Sequence, residues 1–360
     1  MTSSSEIFKS LTVVIITKDR VKYLTRSLKY WKDSNCSLII LDGSKDSSAS
    51  LVQKQFPNIL YFHLPFPLEQ RLFFVGSKIS TKYVMIASDD DFMLKSGVIN
   101  CIDFLESNSD YVAAFGTAAK IEFESREVRL TRDYSNLVKV GQVDDENHWN
   151  RLCYHFRGDN YVPSTVYSIQ LSSNFKKVSR IFQNMSNLDG NLLELILESA
   201  ITYSGKTIVL DKLTWIRTLD AEPNWTTNYV VGKWSLIIRN KERRNFLKLI
   251  DLNLLSNSSK LPSKLRRLFY RLVLIDKHLY DFSKIDGFIK WFLLPIIFTY
   301  SNTNLNRIQF LPKLKKIFYF NKLNRKSSQI LLSKENSKII LMGTEKSEVL
   351  QIESLIRENH

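Results

Sequence analysis

Residues 11–16 form an unbroken apolar, largely β-branched run, and just beyond it Tyr23, Leu24, Ser27, Leu28 and Trp31 recur at helical spacing. A strand that is apolar on both faces has to be covered on both, and parallel neighbours in a sheet need helical crossovers. The unit then repeats. Residues 37–41 are a second apolar run, followed at 47–56 by a stretch in which Leu51, Val52 and Phe56 share one helix face. Residues 59–62 predict a third strand, 70–79 the next crossover helix, 83–87 a fourth strand, 95–107 a helix and 111–115 a further strand. This alternation predicts an α/β fold with a doubly wound, mostly parallel sheet. In such sheets ligands bind beyond the carboxyl ends of the strands, near the point where strand order reverses. The polar clusters fall there: Thr17, Lys18, Asp19 and Arg20 after the first strand, Asp42, Gly43 and Ser44 after the second, Asp89, Asp90 and Asp91 after the fourth.

Three consecutive aspartates at the end of an apolar strand raise one another's pKa unless a cation offsets their charge. A divalent ion such as Mn²⁺ or Mg²⁺ takes oxygen ligands and is commonly held by one or two carboxylates together with substrate phosphates. If the strand direction continues, Asp89 and Asp91 both face the mouth of the pocket and Asp90 faces away. The competing reading is a solvated acidic loop that favours the dipole of the helix beginning near Lys95.

Residues 13–20 (VVIITKDR), 39–46 (IILDGSKD) and 83–91 (YVMIASDDD), in this order and spacing, resemble the family-2 glycosyltransferases of the GT-A fold. A fourth segment, residues 187–195 (NLDGNLLEL) followed by 203–210 (YSGKTIVL), is similar to that family's acidic helix and the glycine-containing turn after it, with Leu188 where a glutamate usually stands. The resemblance covers roughly residues 11 to 215 and implies a metal-dependent, inverting transfer from a nucleoside diphosphate sugar, UDP-linked by preference, in a hexosyltransferase-like reaction. It implies that Asp42 contacts the base or ribose, and that Asp89 and Asp91 bind the ribose and the metal diphosphate, with Asp90 beside them. Thr17, Asp19, Arg20, Arg71 and Lys78 would then line the nucleotide pocket, and Asp189 would be the catalytic base. Asp189 is equally readable as an ordinary helix N-cap, and Arg71 and Lys78 as surface cations. A nucleotidyltransferase of similar sheet topology usually has a glycine-rich loop after its first strand, and residues 17–20 contain no glycine.

Beyond the alternating region, residues 118–132 predict a hairpin and 187–199 a helix with Leu188, Leu192, Leu195, Ile196 and Ser199 on one side. The formal charge of +15 is concentrated: residues 231–330 hold 21 Lys or Arg against five Asp or Glu. This divides the chain into a catalytic part (1–230), a basic helical part (231–330) and a strand-helix tail (331–360). Leu265, Leu268, Phe269 and Leu272, flanked by Lys264, Arg266, Arg267 and Arg271, have the layout of an interfacial helix, so attachment to an anionic membrane face is expected. The alternatives are packing of that stripe on the catalytic part, or a non-catalytic nucleotide-sugar or nucleic-acid binding module whose acidic sites are incidental, with nucleic acid the less favoured partner. The longest apolar run, 291–298, contains Pro295 and is far short of the roughly 20 residues a membrane helix needs. Cys36, Cys101 and Cys153 have no metal or disulfide spacing, and residues 1–16 lack the pattern of a secretory leader. A cytoplasmic enzyme in surface polysaccharide synthesis, with a glycan or lipid-linked acceptor, is the expectation.

Overall fold

A computed structural model describes residues 4–124, 127–133, 138, 141–155, 165–185, 188, 190–218, 341 and 343–358. The strands are β1 (Leu11–Thr17), β2 (Ser37–Asp42), β3 (Leu60–His63), β4 (Tyr83–Ser88), β5 (Phe92–Met93), β6 (Tyr111–Glu124), β7 (Glu127–Asp133), β8 (Ile169–Leu171) and β9 (Lys206–Thr218). The helices are α1 (Ser4–Lys9), α2 (Val21–Trp31), α3 (Ala49–Gln55), α4 (Leu68–Gly76), α5 (Lys95–Ser107), α6 (His148–His155), α7 (Ser172–Ser179), α8 (Gly190–Ser204) and α9 (Thr344–Arg357).

The sheet runs β3-β2-β1-β4-β8-β6-β9-β5, with β7 paired to β6. β3, β2, β1 and β4 are parallel, as are β6 and β9; β8 joins the two groups antiparallel, and β5 pairs antiparallel with β9. The expected alternation is therefore found through β4. The strand and hairpin expected between residues 111 and 132 are one long strand, β6, and its antiparallel return, β7. The chain lays β2 and β3 on one side of β1 and β4 on the other, so the order reverses beside β1. In register, Thr17 lies opposite Asp42 and Ile16 opposite Ser88.

The period of two in each buried strand sorts its side chains between two cores. Val13, Ile15, Leu38, Ile40, Tyr83 and Met85 pack with α1, α2, α5 and α9, whereas Val14, Ile39, Leu41, Val84 and Ile86 pack with α4, α7 and α8. An unbroken apolar run is what a strand covered on both faces requires. The amphipathic helix expected around Val349, Ile352 and Ile356 is α9, and it docks on the first of these cores with Ile352 and Ile356 fully buried. Burial of side chains this size contributes roughly 1.5–3 kcal/mol each, enough to fix the helix there. The basic block 231–330 and the strand expected at 339–342, apart from Leu341, lie outside the described residues, as do the boundaries drawn there.

Helix α5 crosses β9 at a glycine. A Cβ on Gly97 would lie 2.3 Å from the Leu213 carbonyl oxygen and 2.7 Å from the Thr214 Cα, both of them backbone atoms that cannot swing aside. Replacing a helical glycine with alanine normally stabilises by about 1 kcal/mol. Here overpacking of roughly 1–3 kcal/mol opposes that gain. Gly97→Ala is therefore expected to destabilise the protein, seen as a lower urea midpoint at unchanged slope; a raised midpoint would show that the helix and strand can separate freely.

Candidate active site

The site lies where β1, β2 and β4 end. Leaving β1, the chain turns through Asp19, whose φ of 55° is in the left-handed region that Asp tolerates better than most residues. That turn aims the Asp19 amide at the Ser44 hydroxyl oxygen, 2.7 Å away, while Asp19 Oδ1 accepts from the Lys45 amide at 3.2 Å. The loops after β1 and β2 are thus tied together. Arg20 follows and points the other way, toward the acidic triplet.

Asp89 is 3% exposed, and its Oδ2 accepts the Thr17 hydroxyl at 2.7 Å. Arg20 Nη1 is 3.5 Å from Asp89 Oδ1, Arg20 Nη2 donates to Asp90 Oδ2, and the guanidinium stacks 4.7 Å from the centre of the Tyr23 ring. The Ser88 hydroxyl donates to the other Asp90 oxygen. Asp91 has donors of its own: Trp215 Nε1 donates to Oδ2 and the Thr218 amide to Oδ1, each at 3.0 Å. The expectation that Asp90 turns away from Asp89 is corrected. The chain bends between β4 and β5 rather than continuing as a strand, so a two-residue alternation does not apply, and Asp90 joins Asp89 on Arg20.

Burial, and next the charge of Asp90, push the Asp89 carboxyl up to about 7, against the pull of Arg20 and Thr17. The same two causes push Asp91 up to about 7, against the Thr218 amide, Arg217 and the Trp215 ring N–H. Arg20 and Arg217 together do not offset three carboxylates. Asp89 and Asp91 are oxygen-only donors with an excess of negative charge, which suits a hard divalent cation, and they would form part of its shell. Among the described residues no group of three or more Asp, Glu, His or Cys side chains is placed to hold a metal, so a bound ion would need further oxygens from its ligand.

On the other side of Thr17, Asp42 is 1% exposed. Its Oδ1 accepts from the Ser44 amide (2.8 Å) and hydroxyl, and its Oδ2 from the Tyr61 phenol. Burial and the hydrogen bond to Asp42 push that phenol up to about 12, so it stays a donor at neutral pH. Arg71 is beneath this pair. Its Nη1 donates to the carbonyl oxygens of Thr17 (3.0 Å) and Leu41 (2.8 Å), holding together the ends of β1 and β2. A Cβ on Gly43 would be 2.6 Å from Arg71 Cζ, so glycine is what lets the guanidinium pass under the loop. Glu69, two residues before Arg71 in α4, is buried and accepts from the Leu188 amide at 3.0 Å.

Thr17, Asp19, Arg20, Asp42, Arg71, Asp89, Asp90 and Asp91 are thus brought together. Lys78 is not. It is exposed in the turn that leads from α4 back to the amino end of β4, the opposite edge of the sheet, with Nζ 5.1 Å from the Phe74 ring centre. A cation at the far end of a crossover helix cannot reach the strand ends that its near end borders. Asp189 lies outside the described residues. Several members of the site were not anticipated: Tyr61 on Asp42, Trp215 and Thr218 on Asp91, and Arg26, which is 1% exposed and donates from Nη2 to the Asp90 carbonyl oxygen at 2.9 Å. Tyr167 stacks on Trp215 with ring centres 4.9 Å apart; burial raises its phenol well above the usual range, aided by Glu194, Asp91 and Asp90. An arginine at a helix position next to apolar neighbours was the available signal for Arg26; the others depend on strand pairing.

No protein-family model matches the sequence, and no curated protein is detectably similar to it. Among solved structures, that of S. aureus TarS residues 1–349 in complex with UDP-GlcNAc superposes with a TM-score of 0.53 at 15% identity, covering 81% of each chain. Structures of the same S. aureus fragment alone and with UDP give 0.49 at 14% and 13% identity, covering 81% of this chain and 80% of theirs. The first of these establishes a shared fold.

Arg71→Ala removes the donor shared by two strand-end carbonyls and leaves them in a buried site. A loss of about 1–3 kcal/mol in denaturant unfolding is expected with no ligand present. An unchanged midpoint would instead make Arg71 a pocket residue free of any structural duty.

Proposed function

We propose that this protein is a glycosyltransferase that moves a sugar from a nucleoside diphosphate sugar, UDP-linked by preference, to a hydroxyl of a glycan or lipid-linked acceptor. The observation that carries the reading is the arrangement around Thr17: a buried aspartate dressed by a phenol and a serine on one side, and an acidic triplet on the other, at the reversal point of the sheet. The shared fold with a protein solved with UDP-GlcNAc supports it.

Each part has a task. The Asp42, Ser44 and Tyr61 group offers oriented donors and acceptors to a base or ribose. Arg20 and Thr17 fix Asp89, and the Trp215 and Thr218 N–H groups fix Asp91, so the two carboxylates present remaining lone pairs without having to reorganise. Asp89 and Asp91 would hold Mn²⁺ or Mg²⁺. When bound, the ion supplies Lewis-acid neutralisation of the charge that grows on a leaving diphosphate. Asp189 is assigned as general base, taking the acceptor proton on the side of the anomeric carbon opposite the leaving group, so that the configuration inverts.

The acceptor class, a role in surface polysaccharide synthesis and a place at the cytoplasmic face of the membrane belong to the same proposal. Among the described residues no helix is long and apolar enough to cross a membrane, and attachment would fall to the basic block.

Calorimetry with UDP and a UDP-sugar panel tests the reading: binding is expected with Mn²⁺ or Mg²⁺ and lost on chelation. Asp91→Asn keeps an acceptor for Trp215 but removes the charge. It is expected to weaken that binding at least about tenfold, the effect of losing a charge-assisted contact of roughly 1.5–3 kcal/mol, and to lower the melting temperature as well, because the new NH2 group cannot accept the Thr218 amide, so affinity is read where the variant is folded. Full affinity in that variant, or equal binding without metal, would sink the assignment of Asp91. For Asp189→Asn, donor affinity should persist while turnover drops roughly 10²-fold or more, as loss of a general base predicts; an unchanged rate would leave Asp189 a helix cap.

A further inference from the structure

Helix α5 begins three residues after the acidic triplet, and it begins without a cap of its own. Its N-cap position is Leu94, fully buried, with no side-chain hydrogen bond to the helix. The first amides of a helix have no intrahelical acceptor and need one from elsewhere. Here the acceptor comes from the last helix. Glu348 of α9 receives the Lys95 amide on Oε2 at 2.5 Å and the Ser96 amide on Oε1 at 3.0 Å, one carboxylate closing two orphan donors at the positive end of the dipole.

The contact continues toward the site. The Tyr30 hydroxyl sits between Glu348 Oε2 (3.3 Å) and the Met93 carbonyl oxygen (3.0 Å), and its ring meets Phe92 edge to face at 5.2 Å. Lys95 Nζ lies 4.8 Å from the centre of the same ring. Phe92 and Met93 are β5, paired with Ile216 and Trp215 of β9, and Trp215 donates to Asp91. Glu348 is one turn before the fully buried Ile352 on the face that α9 presents to the core, so its position is fixed by packing.

The geometry points to Glu348 as a positioning residue for the acidic loop: through the α5 cap and Tyr30 it fixes β5, and with it Asp91, so that ligand binding between β1 and β9 depends on the far end of the chain. Its effect on the ligand rests on the nucleotide-sugar reading; its effect on the loop does not.

The test uses the full chain with Glu348→Ala, Glu348→Gln and, as control, Glu358→Gln, which alters only an exposed pair with Lys29. Hydrogen exchange over residues 89–96 and UDP affinity with Mn²⁺ are read at a temperature where every variant is folded. In Glu348→Ala, exchange at the Lys95 and Ser96 amides should quicken roughly 2- to 30-fold, the span implied by loss of a helix cap, and the faster exchange should extend to residues 89–93. UDP affinity should fall at least about threefold, with Glu348→Gln intermediate because an amide oxygen can still accept, and Glu358→Gln like the parent. Should Glu348→Ala fail to fold, the same readouts on Glu348→Gln decide. Faster exchange confined to residues 95 and 96 with UDP binding intact would make Glu348 a cap and nothing more, and would overturn the inference. A parent protein that does not bind UDP would instead remove the nucleotide-sugar reading, while exchange at residues 89–93 still judges the coupling.

Discussion

Three adjacent carboxylates at the end of a buried strand repel one another, and much of the surrounding structure consists of the groups that make their closeness tolerable. Thr17 and Arg20 meet Asp89, Arg20 and Ser88 meet Asp90, and Trp215 with the Thr218 amide meets Asp91. These donors come from the ends of β1, β4 and β9, which places the triplet at the junction of the parallel strands and the β6/β9 pair. The compensation is incomplete. Burial first, and next the charge of Asp90, still push Asp89 and Asp91 up to about 7, above the ordinary carboxylate range. A fold seeking stability alone would have used fewer acids there, and departures of this kind concentrate where a protein binds or reacts.

A different device holds the neighbouring half of the site. At Asp42 there is one acid, and its partners are a phenol, a hydroxyl and an amide rather than a guanidinium. The cation of this half, Arg71, is directed at two backbone carbonyls beneath the loop. Burial draws its pKa down, while Asp42 and Glu69 draw it up. The two halves therefore differ in character: a hydrogen-bonding niche around one carboxylate, beside an edge where three carboxylates crowd together. Thr17 is shared by both, through its hydroxyl to Asp89 and its carbonyl to Arg71.

The parallel part of the sheet was legible in the sequence because both-face burial leaves an unbroken apolar run, and the clusters at residues 17–20, 42–44 and 89–91 were legible as polar stops after such runs. What escaped was set by contacts between distant segments. Trp215 and Thr218 reach Asp91 only because β9 pairs with β5, and no local pattern encodes that register. The orientation of Asp90 was misjudged by extending a strand period through a bend. Lys78 falls outside the site because a crossover helix has one end at each edge of the sheet. The short amphipathic pattern around Ile352 correctly gave a helix, but nothing in it told that Glu348 would cap α5.

That cap bears on how the basic block can act. The chain leaves the described domain at Thr218, whose amide and hydroxyl are bonded to Asp91 and to the Asp90 carbonyl, and re-enters it at Gly343, just before the helix that carries Glu348. Both points of attachment are thus on groups that touch the acidic loop or the helix following it. A segment joined at one end by a free linker would be coupled to the site only through proximity. Thr218 and α9 are not free in this sense: displacing either one alters the donors of Asp91 or the support of β5.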